Sequence, residues 1–122
     1  MFEISVETHF SAAHRLKGYV GDCSRLHGHN WRVVATVVGT EIKSPGMIID
    51  FKKLKEIMDR VIRNFDHKNL SDLPDFKNIN PTAENISKEI FKKVKAVVPS
   101  NVSLKSIQVW ETDKYSVKYF ET

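Results

Sequence analysis

Cysteine is almost absent. The single Cys23 among 122 residues excludes an intrachain disulfide framework and suits a reducing cytoplasm. Four prolines and five glycines are too few for a collagen-like or low-complexity chain. Long hydrophobic runs are missing too. The longest covers residues 33–38 and has Ala35 and Thr36 inside it, far too short to span a bilayer. The start, Met1-Phe-Glu-Ile-Ser-Val-Glu, has no basic leader ahead of an apolar block, so no secretory signal is legible. Charge of one sign is only slightly in excess, with nineteen Lys and Arg against fifteen Asp and Glu. The lysines scatter along two helix-like segments as solvated faces do, and no nucleic-acid module is recognisable. Neither a membrane nor a nucleic acid is an expected partner. What remains, at 41% hydrophobic and 28% charged, is the composition of a globular domain. A single domain over residues 1–122 is expected.

Hydrophobic periodicity orders that domain. Residues 2–10 alternate, with Phe2, Ile4, Val6 and Phe10 on one face and Glu3, Ser5, Glu7 and His9 on the other, as a half-buried strand does. Residues 31–38 are dense in β-branched side chains and predict a second strand. Phe51, Leu54, Ile57, Met58, Val61, Ile62 and Phe65 form an amphipathic helical stripe with Asp50 as its N-cap. A second stripe runs through Ala83, Ile86, Ile90, Phe91, Val94 and Val97, with Asn80 as the expected cap and Pro81 as the first helical residue. Residues 104–111 and 115–120 alternate again around Thr112-Asp113-Lys114, predicting a closing hairpin. The order ββααββ favours an α+β architecture, an antiparallel sheet with both helices on one face.

Residues 14–29 concentrate the chemistry. His27-Gly28-His29 places two imidazoles on one side of an extended backbone. His14 follows the first strand, so pairing of the first two strands brings it back to the other two. Three neutral imidazoles with an open fourth position suit a catalytic zinc ion; three separate hydrogen-bonding histidines fit the spacing equally well. Cys23 is a base or nucleophile if its thiol titrates low, and otherwise a buried, inert thiol. Asp66-His67 is a carboxylate–imidazole pair or a helix-end cation at the C-terminal dipole. Glu111 reads on local grounds as a strand-end carboxylate.

Six blocks, Phe10-Ser-Ala-Ala-His14-Arg-Leu, Cys23-x-x-x-His27-Gly-His29-Asn30, Gly46-Met-Ile-Ile-Asp50-Phe, Asp66-His67-Lys-Asn-Leu70, Asn80-Pro-Thr82-Ala-Glu84-Asn and Glu111-Thr112, together resemble the 6-pyruvoyltetrahydropterin and 6-carboxytetrahydropterin synthase family nearly end to end. The resemblance implies a T-fold (tunnelling fold) whose sheets join into an oligomeric barrel, here a homo-hexamer of two trimers. It implies His14, His27 and His29 as zinc ligands, Cys23 as catalytic base, and Asp66 with His67 as proton-relay partners reaching in from a neighbouring subunit. It implies Glu111 as the pterin anchor and Thr82 as a second pterin contact, with capping as Thr82's competing role. A carboxylate suits a pterin because the guanidine-like edge offers two adjacent N–H donors. The implied substrate is 7,8-dihydroneopterin triphosphate, for whose phosphates Arg15, Arg25 and Lys68 are candidates. The short Cys-x-x-x-His-Gly-His spacing resembles the 6-carboxytetrahydropterin synthases of 7-deazaguanine (queuosine-type) synthesis, which release acetaldehyde. The alternatives are the pyruvoyl reaction, which keeps the side chain whole, and a catalytically dead pterin-binding relative. A folate-serving branch with Glu at or near the cysteine position is disfavoured by Cys23.

Overall fold

The computed structural model describes residues 1–122 throughout. Strands β1 (Phe2–His14) and β2 (His27–Gly39) pair antiparallel along their full length, in a register that sets His14 opposite His27 and Ala12 opposite His29. Helix α1 (Phe51–Ile62), the two-residue strand β3 (Lys68–Asn69) and helix α2 (Ala83–Lys95) follow. Strands β4 (Ser103–Thr112) and β5 (Tyr115–Tyr119) close the chain as the expected hairpin. The sheet order is β3-β1-β2-β4-β5, and both helices cover one face of it, as expected for α+β.

Two elements depart from the sequence-based expectation. The sheet is not wholly antiparallel, because β3 runs parallel to β1 against Ala12 and Ala13. Such a strand has no periodicity of its own; it exists because the turn after α1 lays the chain beside β1. The second departure is the cap of α2. Asn80 is not the N-cap and Pro81 is not the first helical residue: Thr82 caps, its hydroxyl accepting the Asn85 N–H at 3.1 Å. The Asn80 side chain is occupied elsewhere, on the backbone of Lys17. Asp50 does cap α1, accepting the Lys52 N–H at 2.8 Å.

The inner sheet face carries Phe10, Trp31, Val33, Ala35, Ile107 and Val109, and onto it α1 sets Met58, Val61 and Ile62 while α2 sets Ile86, Ile90, Phe91 and Val94. Each fully buried side chain of this size is worth about 1.5–3 kcal/mol over exposure, which is why the two stripes form helices here despite mostly polar remaining positions. The outer face is polar, with Ser5 bonded to Thr36 and Glu7 paired with Arg32. Both sheet edges are open: β3 covers β1 at two positions only, and β5 has no outer neighbour. No helix is long and apolar enough to cross a membrane.

Candidate metal centre

The alternation that buries Phe10 and Ala12 continues to His14, and the one that buries Trp31 runs back through His29 to His27. The three imidazoles therefore replace apolar side chains on the inner face, in the last rungs of the β1–β2 ladder. Their ring centroids lie 4.5 to 5.2 Å apart. Trp31 separates them from the apolar core, meeting His14 and His29 edge-on and donating its indole N–H to the Ala12 carbonyl at 3.2 Å.

Backbone carbonyls orient two of the rings. His14 Nδ1 lies 2.7 Å from the Pro81 carbonyl oxygen, and His27 Nδ1 lies 2.8 Å from that of Arg25. A carbonyl only accepts, so each Nδ1 carries the proton and donates it, leaving the Nε2 lone pair of the neutral ring free. Burial holds the pKa of His14 below the ordinary histidine value, against the opposing pull of the Pro81 carbonyl, and the neighbouring His27 lowers it further. Burial likewise lowers His29, partly countered by Glu111. Rings kept neutral in this way are ready ligands.

Glu111 completes the group. The β4 strand is bulged between Trp110 and Thr112, and its carboxylate turns onto the histidines, Oε1 standing 3.3 Å from His14 Nε2 and 3.4 Å from His29 Nε2. One ligand atom from each of His14, His27, His29 and Glu111 falls within 4.8 Å of all the others. Nε2 of His14 and of His29 are shut off from solvent and make no hydrogen bond; the approach of Glu111 is close but badly angled. Unsatisfied buried nitrogens cost about 1–3 kcal/mol each. Three imidazoles and a carboxylate, with two buried ring nitrogens left without partners, fit a divalent metal ion.

The remaining expected residues lie around this group. Cys23 sits half-buried in a 3₁₀ turn, Asp22–Ser24, entered through Gly21 at φ +132°, a conformation suited to glycine. Its carbonyl accepts the Leu16 N–H at 2.8 Å, drawing the connection between β1 and β2 together, while its thiol is not among the four clustered ligands. Asp66 and His67 are not brought onto the histidines within one chain. Asp66 Oδ1 accepts the Ser11 N–H and lies 3.0 Å from His67 Nδ1. Ser11 is three residues back from His14, roughly 10 Å along an extended strand, and the pair lies on the outer edge of β1. The Ser11 N–H holds the Asp66 carboxyl below its usual range, helped by His67. His67 adopts a left-handed φ of 58° and projects into solvent, a costly backbone for a non-glycine residue. Thr82 uses its hydroxyl oxygen as the α2 cap, leaving the O–H proton for another partner. Arg15 lines a cavity of about 240 Å³ with Lys17, Lys77 and Asn80; Arg25 contributes its carbonyl to His27, and Lys68 lies in β3.

Sequence reasoning missed Asn80 and the Pro81 carbonyl. Asn80 grips the chain just after His14 by both backbone groups of one residue, Oδ1 accepting the Lys17 N–H at 2.9 Å and Nδ2 donating to the Lys17 carbonyl at 2.8 Å. The Asn85 amide in turn donates to the Asn80 carbonyl. The available signal was the X-Pro pair itself, since a residue before proline is biased to extended backbone and away from a helix.

Comparison with known proteins gives the family of the whole chain. The family model for 6-pyruvoyl tetrahydropterin synthase matches residues 3–122. The dihydroneopterin monophosphate aldolase of Pyrococcus furiosus is 38% identical over 109 residues, 89% of each chain. The 6-carboxy-5,6,7,8-tetrahydropterin synthase of Synechocystis is 37% identical over 126 residues, 98% of this chain and 94% of that one. Among solved structures, 6-pyruvoyl tetrahydropterin synthase of Caenorhabditis elegans superposes with a TM-score of 0.87 at 32% identity, covering 99% of this chain and 96% of that one.

Proposed function

The chain belongs to the 6-pyruvoyl tetrahydropterin synthase family, and on that premise we propose a zinc-dependent 6-carboxy-5,6,7,8-tetrahydropterin synthase, converting 7,8-dihydroneopterin triphosphate and one water to 6-carboxytetrahydropterin, acetaldehyde and triphosphate. The observation that carries the metal-dependent reading is the pair of carbonyl-bonded Nδ1 atoms on His14 and His27, which turns their Nε2 lone pairs toward one point with His29. Zinc held there supplies Lewis acidity to the substrate's side-chain oxygens and makes the neighbouring C–H protons removable. Cys23 takes and returns one of those protons. Asp66 keeps His67 oriented, through the contact at 3.0 Å, for the proton relay. Glu111 accepts the two N–H donors of the pterin edge, and Thr82 offers its O–H to the same ring.

Because Asp66 and His67 stand on an exposed edge, away from the histidines of their own chain, the reading includes assembly. Open edges at both ends of the sheet pair between subunits into a barrel, a homo-hexamer of two trimers in which each relay pair serves a neighbour's Cys23. The lone, unpaired cysteine suits the cytoplasm, and the carboxy product assigns the reaction to 7-deazaguanine synthesis.

Support for the carboxy outcome comes from the relative in Synechocystis and from the three residues that separate Cys23 from His27. The comparable likeness to the Pyrococcus furiosus aldolase favours a second reading, side-chain cleavage of the monophosphate. The likeness to the Caenorhabditis elegans enzyme keeps the pyruvoyl outcome as a third. Incubation of zinc-loaded protein with dihydroneopterin triphosphate and, separately, the monophosphate, followed by mass spectrometry of the pterin and an aldehyde assay, separates them. The proposal expects 6-carboxytetrahydropterin and acetaldehyde in equal amounts from the triphosphate. An intact pyruvoyl side chain, turnover of the monophosphate alone, or no turnover of either compound would overturn it.

A further inference from the structure

Glu111 stands close enough to the three histidines to supply a fourth ligand. A tetrahedral zinc ion with ligands at 2.0–2.1 Å sets those ligands about 3.3 Å apart along each edge of the tetrahedron. Glu111 Oε1 stands at 3.3 Å from His14 Nε2 and 3.4 Å from His29 Nε2. Neither contact is a hydrogen bond. With the His14 proton on Nδ1 and given to Pro81, Nε2 and Oε1 face one another as two lone-pair donors, an arrangement that repels unless a cation lies between them. A carboxylate that served only as a distant anchor would turn to solvent, which is open to it, since the Glu111 side chain is about one-third exposed at 32%.

We propose that Glu111 is itself a metal ligand in the resting protein, closing the fourth coordination position, and that it is released when a pterin binds. The release follows from the chemistry of the carboxylate. Bidentate acceptance of the two adjacent N–H donors of a pterin uses both oxygens, so the ring draws Oε1 away from the histidines. Recognition of the ring then opens the position that the side-chain oxygens require. One residue couples ring selection to access at the metal, and a phosphate ester or diol without a pterin ring finds the site closed. This inference rests on the pterin reading, but the ligand role and the release are measured independently of turnover.

The test uses the whole protein loaded with Co²⁺, whose visible absorption reports coordination number and ligand type, and pterin itself as probe, since it has the ring and no side-chain oxygens. Three chains are compared: wild type, Glu111→Gln and Glu111→Asp, the last keeping the charge but withdrawing it by one methylene. Loss of an outer-sphere partner alone costs roughly 10–100-fold in metal affinity, and loss of this ligand is expected to cost at least that in both variants, with an altered Co²⁺ spectrum. Addition of pterin should shift the wild-type spectrum toward that of Glu111→Gln and leave the variant's spectrum still. Unchanged affinity and spectrum in both variants would overturn the ligand role. A wild-type spectrum indifferent to bound pterin, or an equal shift in Glu111→Gln, would overturn the release. Failure of the wild type to bind Co²⁺ or Zn²⁺ at all would instead sink the metal reading of the whole site.

Discussion

Asn80→Ala tests whether the second layer around His14 is functional or merely structural. The substitution deletes two hydrogen bonds to Lys17, at 2.9 and 2.8 Å, each worth about 0.5–1.5 kcal/mol net. Water reaches the Lys17 backbone, so the lower half of that range applies, and the expected loss is about 1–2 kcal/mol. For a chain of this length each kcal/mol lowers Tm by roughly 3–6 °C, so the apo-protein should melt about 3–12 °C earlier. The functional part is separate. Asn80, anchored to Lys17 by its side chain, immediately precedes Pro81, whose carbonyl sets the His14 tautomer at 2.7 Å. Loosening it lets the ring populate the wrong tautomer and should weaken zinc by about 10-fold, the lower end of the range for outer-sphere partners. Asn80→Asp keeps the acceptor for the Lys17 N–H but sets an oxygen against the Lys17 carbonyl, so it should lie between wild type and Ala in stability. Thermal melts of apo-protein and competitive zinc titrations read the two effects. A variant that melts early yet holds zinc as tightly as wild type would refute the link through Pro81.

Cys23→Ala should keep fold and metal, because what Cys23 gives the loop is a backbone carbonyl bonded to Leu16, which alanine retains; turnover should fall by about 10²–10⁴-fold, and near-normal rates would return the thiol to an inert role. Mixing inactive Cys23→Ala and His67→Ala chains under conditions of subunit exchange should restore part of the activity if relay and base come from different subunits; complete inactivity of verified mixed oligomers would contradict the shared site. Asp66 is held below the ordinary carboxylate value of 3.8 by the Ser11 N–H, so the unfolded chain takes up the proton first as pH falls. That contribution to stability is full above 3.8 and is lost below it; in urea titrations the advantage of wild type over Asp66→Asn should shrink through that window, and an advantage constant down to pH 2 would refute the assignment.

The parts of this molecule that repeat were legible, and the parts that depend on a single distant contact were not. Both helices were marked by stripes such as Leu54, Met58, Val61 and Ile62, which the structure buries. The β1 strand was read to Phe10 yet runs to His14, because Ser11, Ala12 and Ala13 give no contrast in hydropathy although Ala12 is buried. Strand β3 owes its existence to two partners on β1. The histidines could be brought together from sequence because His-x-His obeys the two-residue period of a strand and the opposing strand ends in a third. The Pro81 carbonyl could not, since it reaches His14 across 67 positions in the chain and carries no side-chain chemistry to read. Glu111 was legible by resemblance as a carboxylate of the site, while its approach to the imidazoles depends on a bulge that leaves no mark in composition.

The placement of the site at the end of the sheet has an energetic reason. In mid-sheet the inner face is sealed by α1 and α2, and a polar ring there would lose water on every side. At the last rungs His14 and His29 keep the apolar support of Trp31 beneath them, and His14 and His27 find a carbonyl within reach of Nδ1, from Pro81 and from Arg25 respectively. The Pro81 bond satisfies one nitrogen of His14 and leaves the other unpaired: His14 is 1% exposed at its side chain, so its Nε2 has neither water nor a hydrogen-bond partner to turn to. The chain thus carries a local penalty of about 1–3 kcal/mol for each orphaned nitrogen, small enough for the core under α1 and α2 to support. An ion that accepts those lone pairs relieves the penalty in the folded chain only, because the unfolded chain does not hold the three rings together. Part of its binding energy is therefore folding energy.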